Sequence, residues 1–376
     1  MQRRSFGNTE ELLFPIGVGG FHLLEISDRE ALRIMNAFLD EGGNYIETAA
    51  QYGAGESERK VGLLMQSRRN ECFLATKCRH RDAASARASI DESLARLRTD
   101  HVDVLFAHCV ATDEELDRIL GPGGAIEAFE QAREAGKLRY IGITAHGIPV
   151  RLIRALKEYP FDAVMTGFNF YDRFNYPEAE QTLIPLARER GTAVVGMKAL
   201  GDGLLWEYPE MALRYALSLA IDVLPLGFNT MEMLCTDMRI VRDFAPLEED
   251  ELHELFKHNP FLGSYVCRQC GACLPCPRGI DIPGIFLCEG WYDRQLRDGI
   301  VRSTAEYVLR DRVRFWFENM NEAREAYKGI EVQATQCNRC GECNSRCPYG
   351  IDIPSKLEYA HFKLTTENLV TIPVSG

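Results

Sequence analysis

The chain has 376 residues, 46% of them hydrophobic, and a formal net charge of −12 at pH 7. This length predicts two domains, and the acidic balance argues against nucleic acid or an anionic membrane surface as the main partner. The sequence contains no run of eighteen apolar residues, so we predict no membrane span and expect a cytoplasmic protein.

Short apolar strands alternate with amphipathic helices after a short hairpin that we predict within residues 1–14. The predicted strands are Pro15–Gly20, Tyr45–Ala50, Phe73–Cys78, Val102–His108, Tyr140–Ala145, Asp162–Asn169, Thr192–Ala199 and Val223–Phe228. The predicted helices between them include Asp28–Asp40, Ala83–Leu97, Asp113–Ala135, Pro177–Arg190 and Tyr208–Ala220.

This alternation is typical of an α/β protein with a parallel sheet. Eight strand–helix units in about 245 residues indicate a closed (β/α)₈ TIM barrel. An open doubly wound sheet is the alternative, and it usually carries Gly-x-Gly-x-x-Gly after its first strand. The segment Gly17-Val18-Gly19-Gly20-Phe21-His22 does not match that pattern.

The pattern changes after Pro246, where we predict a helix over Leu247–His258 and a helical stretch from about Pro283 to Tyr327. Two cysteine runs flank that stretch. We therefore expect a barrel domain over residues 1–246 and a second domain over residues 247–376.

Four polar residues occupy the carboxyl ends of three consecutive predicted strands: Glu47, Tyr52, Lys77 and His108. Active sites of TIM barrels lie at that end of the strands. An ammonium beside a phenol lowers its pKa, a carboxylate neutralises the ammonium, and an imidazole can polarise a carbonyl. Taken singly, Tyr52 could be a core residue, Lys77 a rim charge and His108 a satisfied buried histidine. Their joint placement favours a catalytic site.

Residues 1–245 resemble the aldo-keto reductase superfamily. The matching motifs are Glu47-Thr48-Ala49-Ala50-Gln51-Tyr52-Gly53, Thr76-Lys77, Val102-Asp103-Val104-Leu105-Phe106-Ala107-His108, Arg139-Tyr140-Ile141-Gly142-Ile143-Thr144 and the strand that carries Asn169. The resemblance implies hydride transfer between a nicotinamide cofactor, NAD or NADP, and a carbonyl or alcohol. It makes Tyr52 the general acid/base, Lys77 and Glu47 its tuning pair, and His108 the group that orients the carbonyl.

The same resemblance implies a set of nicotinamide-binding residues: Thr144, Asn169, Lys198, Leu200, Gly201, Gly203, Gly227, Asn229 and Thr230. Several positions depart from the family pattern: Glu47 replaces the usual Asp, and Ala145, Met165, Met197 and Asp237 replace frequent cofactor contacts. The segment Gly227-Phe228-Asn229-Thr230 lacks the arginine that often grips a 2′-phosphate, so we expect NAD rather than NADP.

Eight of the thirteen cysteines form two runs near the C-terminus: Cys267-x₂-Cys270-x₂-Cys273-x₂-Cys276-Pro277 and Cys337-x₂-Cys340-x₂-Cys343-x₃-Cys347-Pro348. They resemble the bacterial ferredoxin run, in which three cysteines bind one cubane and the fourth binds the other. We therefore predict one [4Fe-4S] cluster on Cys267, Cys270, Cys273 and Cys347, and another on Cys337, Cys340, Cys343 and Cys276. Two structural Cys₄ zinc sites are the alternative. Cys288 fits neither run.

We expect an oxidoreductase barrel fused to a helical, ferredoxin-like domain with two [4Fe-4S] clusters for electron transfer. Its expected partners are a small carbonyl or alcohol substrate and a one-electron redox partner; surface loops set the substrate, so its identity is not predicted. The alternative is a redox-sensing or interaction protein with a degenerate barrel site and structural clusters.

Overall fold

The computed structural model describes residues 2–201, 205, 209–258, 266–293 and 320–366. The chain divides into two compact units, one formed by residues 1–170 and 178–247 and the other by residues 171–177 and 248–376. The short segment 171–177 belongs to the second unit because Phe174 packs on Phe256, with ring centroids 5.1 Å apart, and the Asn175 carbonyl accepts a hydrogen bond from Trp291.

The first unit is a parallel barrel of eight strands preceded by a hairpin of two short strands, β1 and β2. The strands are β1 (Arg4–Ser5), β2 (Leu12–Leu13), β3 (Ile16–Gly19), β4 (Tyr45–Glu47), β5 (Phe73–Cys78), β6 (Val102–Ala107), β7 (Leu138–Thr144), β8 (Ala163–Gly167), β9 (Ala193–Met197) and β10 (Leu224–Leu226). Strands β3 to β9 pair in chain order, and β10 pairs with β3. A parallel bridge between Val195 and Val223 closes the ring, which confirms the predicted barrel.

Alternation along the strands decides which side chains enter the barrel. Residues i and i+2 of a strand point to the same face. Tyr45, Phe73, Ala75, Val104 and Phe106 therefore belong to one buried cluster inside the ring. Continuing the alternation brings three further side chains to the interior at the carboxyl end, namely Glu47, Lys77 and His108. The packed lower layers thus leave the polar residues at the barrel mouth.

The helices of the first unit pack around the strands. They are α1 (Asp28–Asp40), α2 (Glu56–Arg68), α3 (Ala83–Leu97), α4 (Asp113–Leu120), α5 (Ala125–Glu134), α6 (Val150–Glu158), α7 (Ile184–Arg190), α8 (Pro209–Ser218) and α9 (Met231–Arg242). The single helix predicted over Asp113–Ala135 is two helices. The sequence Gly121-Pro122-Gly123-Gly124 separates them, because proline lacks an N–H donor and Gly123 adopts a φ of 68°.

The second unit is helical. Its described helices are α10 (Glu249–His258), α11 (Ile282–Asp293), α12 (Met320–Lys328), α13 (Glu342–Arg346) and α14 (Ile353–Thr365). A separate apolar cluster joins α11, α12 and α14 through residues such as Ile285, Tyr327 and Leu357. In the described parts of both units, every helix is too short or too polar to cross a membrane.

Candidate active site and cysteine cavities

Tyr52 lies in a tight turn immediately after β4. Gly53 and Gly55 adopt φ values of 60° and 93°, and Ala54 has a φ of 53°, so three successive residues use the left-handed region. Glycine enters that region without a steric penalty, whereas alanine adopts it only under constraint from its surroundings. The turn brings the Tyr52 ring against Phe21, with centroids 5.3 Å apart, and against His108, with centroids 6.0 Å apart.

Lys77 joins the phenol to the carboxylate. Its Nζ donates a hydrogen bond to the Tyr52 hydroxyl oxygen at 3.0 Å and another to the Thr48 carbonyl at 2.9 Å. It also forms an ion pair with Glu47. Lys77 is 2% exposed and Glu47 is 3% exposed, so water screens this pair very little. The longer side chain of Glu47 therefore reaches the lysine from the position that usually carries Asp.

The site is more strongly shaped by burial than the sequence argument assumed. We expected the ammonium to lower the pKa of Tyr52, but burial, with smaller effects from Cys109 and Tyr45, raises it. Burial also lowers the pKa of Lys77 well below its usual value. Both changes favour neutral groups, because a low-dielectric environment disfavours charge. The phenol therefore holds its proton over the ordinary pH range.

His108 faces the same mouth from the end of β6. Burial, together with the charges of Lys77 and His146, lowers its pKa well below the usual value, so the imidazole is neutral. Its Nδ1 lies 3.0 Å from the Gln51 Oε1. In a neutral imidazole one nitrogen donates and the other accepts, so the partner of Nδ1 decides which role is left to Nε2. Sequence reasoning missed Gln51, although it directly precedes Tyr52.

The predicted nicotinamide-binding residues follow the carboxyl ends of β7 to β10. The Thr144 hydroxyl accepts a hydrogen bond from the Cys109 N–H at 2.8 Å, and the Asn169 side chain donates to the Lys198 carbonyl at 3.0 Å. Lys198 has a φ of 59° and Gly201 a φ of 57°, so the chain turns sharply after β9. Thr144 and Asn169 thus hold the backbone of the mouth. Leu200 begins the described part of the loop, and Gly203 lies outside the described residues.

Residues after β10 hold a second part of the mouth. The Thr230 hydroxyl caps α9 by accepting from the Met233 N–H at 3.2 Å, and Asn229 donates to Glu25 at 2.8 Å. A side chain at Gly227 would collide with the His22 ring, so only glycine fits there. These residues place the amino end of α9, with its free N–H groups, at the mouth of the barrel.

The two cysteine runs repeat one backbone conformation. The residue before the second cysteine of each run is left-handed, with a φ of 54° at Gln269 and 55° at Arg339. The glycine after that cysteine is also left-handed, with a φ of 72° at Gly271 and 80° at Gly341. The chain therefore wraps around a point in the same way twice, which directs three side chains of each run inward.

Each run lines a cavity with three of its own cysteines and one from the other run. The first cavity, of about 320 Å³, is lined by Cys267, Cys270, Cys273 and Cys347. The second cavity, of about 300 Å³, is lined by Cys337, Cys340, Cys343 and Cys276. All thirteen cysteines are free thiols. Four soft sulfur donors around an apolar cavity fit a cubane cluster, whose ligands are Cys thiolates.

Contacts between the runs hold this exchange of fourth cysteines in place. Arg346 donates to the Pro275 carbonyl at 2.9 Å, and Arg278 donates to the Gln336 carbonyl at 3.4 Å. Cys288 is buried in the apolar cluster of the second unit and lines neither cavity.

Comparison with known proteins identifies both regions. The family model for the aldo/keto reductase family matches residues 15–210, just over half of the 376 residues. The chain belongs to the aldo-keto reductase family. A second model, for a 4Fe-4S dicluster domain, matches residues 263–351, so this family member carries a two-cluster region after its barrel, as the cysteine spacing predicted.

Individual relatives agree with this assignment. The chain is 28% identical over 257 residues to an uncharacterised oxidoreductase of Bacillus subtilis, YqkF, covering 63% of this chain and 79% of that one. It is 30% identical over 225 residues to the L-galactose dehydrogenase of Arabidopsis thaliana, covering 55% and 68%. Among solved structures, the holo form of the aldo-keto reductase AKR11C1 from Bacillus halodurans matches with a TM-score of 0.60 and 26% identity, covering 68% and 96%.

Proposed function

We propose that the barrel reduces a small carbonyl compound, or oxidises the corresponding alcohol, with NAD or NADP, and that the two clusters exchange single electrons with a redox partner. The observation that carries the proposal is the buried chain of contacts from Glu47 through Lys77 to the Tyr52 hydroxyl, with Lys77 Nζ 3.0 Å from that oxygen. A protonated phenol held at the barrel mouth can donate its proton to a carbonyl oxygen as hydride reaches the carbonyl carbon.

Lys77 and Glu47 act on Tyr52 rather than on the substrate. As the phenol gives up its proton, negative charge develops on the Tyr52 oxygen, and the Lys77 ammonium stabilises it at hydrogen-bond distance. Glu47 keeps Lys77 protonated against the opposing effect of burial, because an adjacent opposite charge favours the charged form. In the direction of alcohol oxidation, the same groups make Tyr52 the proton acceptor.

His108 orients the substrate oxygen. The neutral imidazole can donate from Nε2 to a carbonyl oxygen only if the Gln51 amide group donates to Nδ1; with the Gln51 oxygen on Nδ1–H, Nε2 instead accepts from an alcohol hydroxyl. Rotation of the Gln51 amide therefore adapts one histidine to either direction of the reaction.

NAD or NADP would be held by the residues that follow β7 to β10, namely Thr144, Asn169, Lys198, Leu200, Gly201, Gly203, Gly227, Asn229 and Thr230. The nicotinamide supplies or accepts the hydride when bound. The amino end of α9, capped by Thr230, offers backbone N–H donors to a cofactor phosphate. The missing arginine at residues 227–230 favours NAD.

The eight cysteines of the two cavities would hold the clusters as thiolates. A hydride carries two electrons and each cluster accepts one, so the two clusters together can accept the pair from one reduced nicotinamide, with release of a proton. This balance supports a one-electron partner. The free thiols of all thirteen cysteines support a reducing, cytoplasmic location.

A direct test uses protein purified without oxygen. A panel of aldehydes, ketones and sugars is screened for oxidation of NADH and of NADPH, and nicotinamide binding is measured separately by fluorescence. We expect turnover of at least one carbonyl class with a preference for NADH. Absence of both nicotinamide binding and turnover would favour the redox-sensing alternative instead.

A further inference from the structure

The two cavities are matched in most respects that set the reduction potential of a cluster. Each has one buried, one exposed and two intermediate cysteines among its four. The Arg339 N–H donates to the Cys337 sulfur at 3.4 Å, and the Gln269 N–H makes the equivalent bond to Cys267. Because solvent exposure and hydrogen bonds to sulfur are paired in this way, a difference between the clusters must come from charge.

The first difference in charge lies at Arg268, which lines the first cavity. Arg268 is only 7% exposed, and its guanidinium lies 4.7 Å from the centre of the Tyr349 ring, another residue of that cavity. It interacts electrostatically with Cys267 and Cys347. The residue at the same place in the second run is Asn338, which is uncharged and exposed.

A second difference lies behind the first cavity, where α11 and α14 pack together. Glu289 of α11 is fully buried and binds two buried lysines of α14, Lys356 and Lys363, the latter at 2.8 Å. We call Glu289, Lys356 and Lys363 the buried triad. Two ammonium groups and one carboxylate leave it with a net positive charge. Such groups are costly to bury, so their retention needs a reason beyond stability.

The triad faces the first cavity through one aromatic ring. Lys356 Nζ lies 4.9 Å from the centre of the Phe286 ring, and Phe286 lines the first cavity. Aligning the repeated segments Ile282–Asp293 and Ile353–Thr365 places Leu357 where Phe286 stands, and Leu357 lines the second cavity. The same alignment places Ile285 where Lys356 stands. An apolar residue therefore takes the place of the ammonium beside the second cavity.

Cations near the second cavity are exposed. Arg278 lines it and Arg339 lies in its run, but both side chains reach water, and Arg339 is already paired with Glu358 at 2.9 Å. Solvent screening makes such charges weak, whereas a buried cation acts through a low dielectric. Reduction adds one negative charge to a cluster, so buried positive charge stabilises the reduced form and raises the potential.

We propose that the cluster bound in the first cavity has the higher reduction potential of the two, and that Arg268 and the buried triad set this difference. An electron that enters the second unit then settles on the cluster held by Cys267, Cys270, Cys273 and Cys347. The charges act without touching a ligand covalently, so these residues are positioning residues. The inference does not depend on the reaction of the barrel.

The test is an anaerobic redox titration of the full-length holoprotein, followed by electron paramagnetic resonance. We expect two separate one-electron steps in the native protein. Arg268→Gln and Lys356→Met should each lower the higher potential and leave the lower one in place, while Arg268→Lys, which keeps the charge, should restore it. The matched controls are Ile285→Met, at the place equivalent to Lys356, and Arg339→Gln, an exposed cation; neither should move the higher potential.

Iron and sulfide analysis accompanies each variant, because loss of a cluster would mimic loss of a signal. If Lys356→Met loses iron, the pair Arg268→Gln and Arg268→Lys still decides the matter. Equal potentials in the native protein would overturn the proposal. So would a shift of the lower potential, an equal shift of both, or no shift in the Arg268→Gln variant that retains both clusters.

Discussion

The barrel mouth and the cysteine cavities are assembled in different ways. At the mouth, Glu47, Lys77 and His108 come from three strands, and only the closed sheet brings them together. In the second unit, the ligand candidates follow one another at fixed spacing, and local turns at Gln269 and Arg339 already direct them inward. The comparison teaches that a spacing motif encodes a site locally, whereas a strand-end site is encoded by topology.

The two regions also use charge differently. In the barrel, burial keeps Tyr52 protonated and His108 neutral, so desolvation sets the chemical state of the site. In the second unit, buried cations at Arg268 and Lys356 lie beside one cavity and not at the equivalent place of its pair. We expect substitutions in the barrel to act on proton transfer and substitutions in the second unit to act on electron transfer.

Removal of the phenol should give the largest effect. Tyr52→Phe should lower the turnover of carbonyl reduction by about 10²–10⁴-fold, the range typical of general acid catalysis, while nicotinamide affinity stays nearly unchanged. Steady-state kinetics and fluorescence titration measure the two quantities. Tyr45→Phe is the matched control, because the Tyr45 hydroxyl is buried inside the same barrel and no described group bonds to it. Equal turnover in Tyr52→Phe and native protein would remove Tyr52 from the mechanism.

The role of burial can be tested away from the mouth at Asp237. Burial raises the pKa of this α9 carboxyl to about 7, far above its value in an unfolded chain. Between about pH 4 and 7 the folded state binds a proton that the unfolded state lacks, so stability falls as pH rises through this window. Asp237→Asn should therefore gain stability relative to native protein as pH rises, by up to about 4 kcal/mol.

Urea unfolding at several pH values measures that gain. Asp243→Asn removes an exposed carboxyl at the end of the same helix and serves as the control, since its effect should not change with pH in this way. A constant difference between Asp237→Asn and native protein across the window would contradict the raised pKa.

The ion pair behind Tyr52 should show itself in the pH profile. In Glu47→Gln, Lys77 loses the charge that opposes the effect of burial, so its pKa should fall by about 1–3 units. The basic limb of the profile for carbonyl reduction should move to lower pH by a similar amount. Glu58→Gln is the control, because Glu58 is another buried carboxylate of the barrel that binds Arg96 and Thr76 rather than Lys77. An unmoved basic limb in Glu47→Gln would disconnect this pair from catalysis.

The exchange of fourth cysteines predicts a twofold effect on iron content. Cys347→Ser should disturb the cluster of the other run, on Cys267, Cys270 and Cys273, and leave one normal [4Fe-4S] cluster. Cys276→Ser should do the converse, and Cys288→Ser should leave both. Mössbauer spectroscopy with iron analysis distinguishes them. Loss of the cluster on Cys337, Cys340 and Cys343 in the Cys347→Ser protein would show that each run binds its own cluster.

The sequence by itself determined the fold class and the cysteine sets. The eight predicted strands all appear in the barrel, since period-two burial and short apolar runs are local properties that survive folding. The cysteine spacing predicted a two-cluster region, which the family comparison confirms. The break between α4 and α5 was missed because the predicted helix ran through Gly121-Pro122-Gly123-Gly124, although these residues were visible in the sequence.

Only the tertiary structure decided what depends on distance and burial. It placed Glu47 against Lys77 despite the departure from the usual Asp, and it brought Gln51 to His108. It also showed that burial outweighs the ammonium at Tyr52 and that the buried triad joins Glu289 to lysines some seventy residues later. Dielectric environment and contacts across such separations arise when elements pack, so no local pattern of residues can encode them.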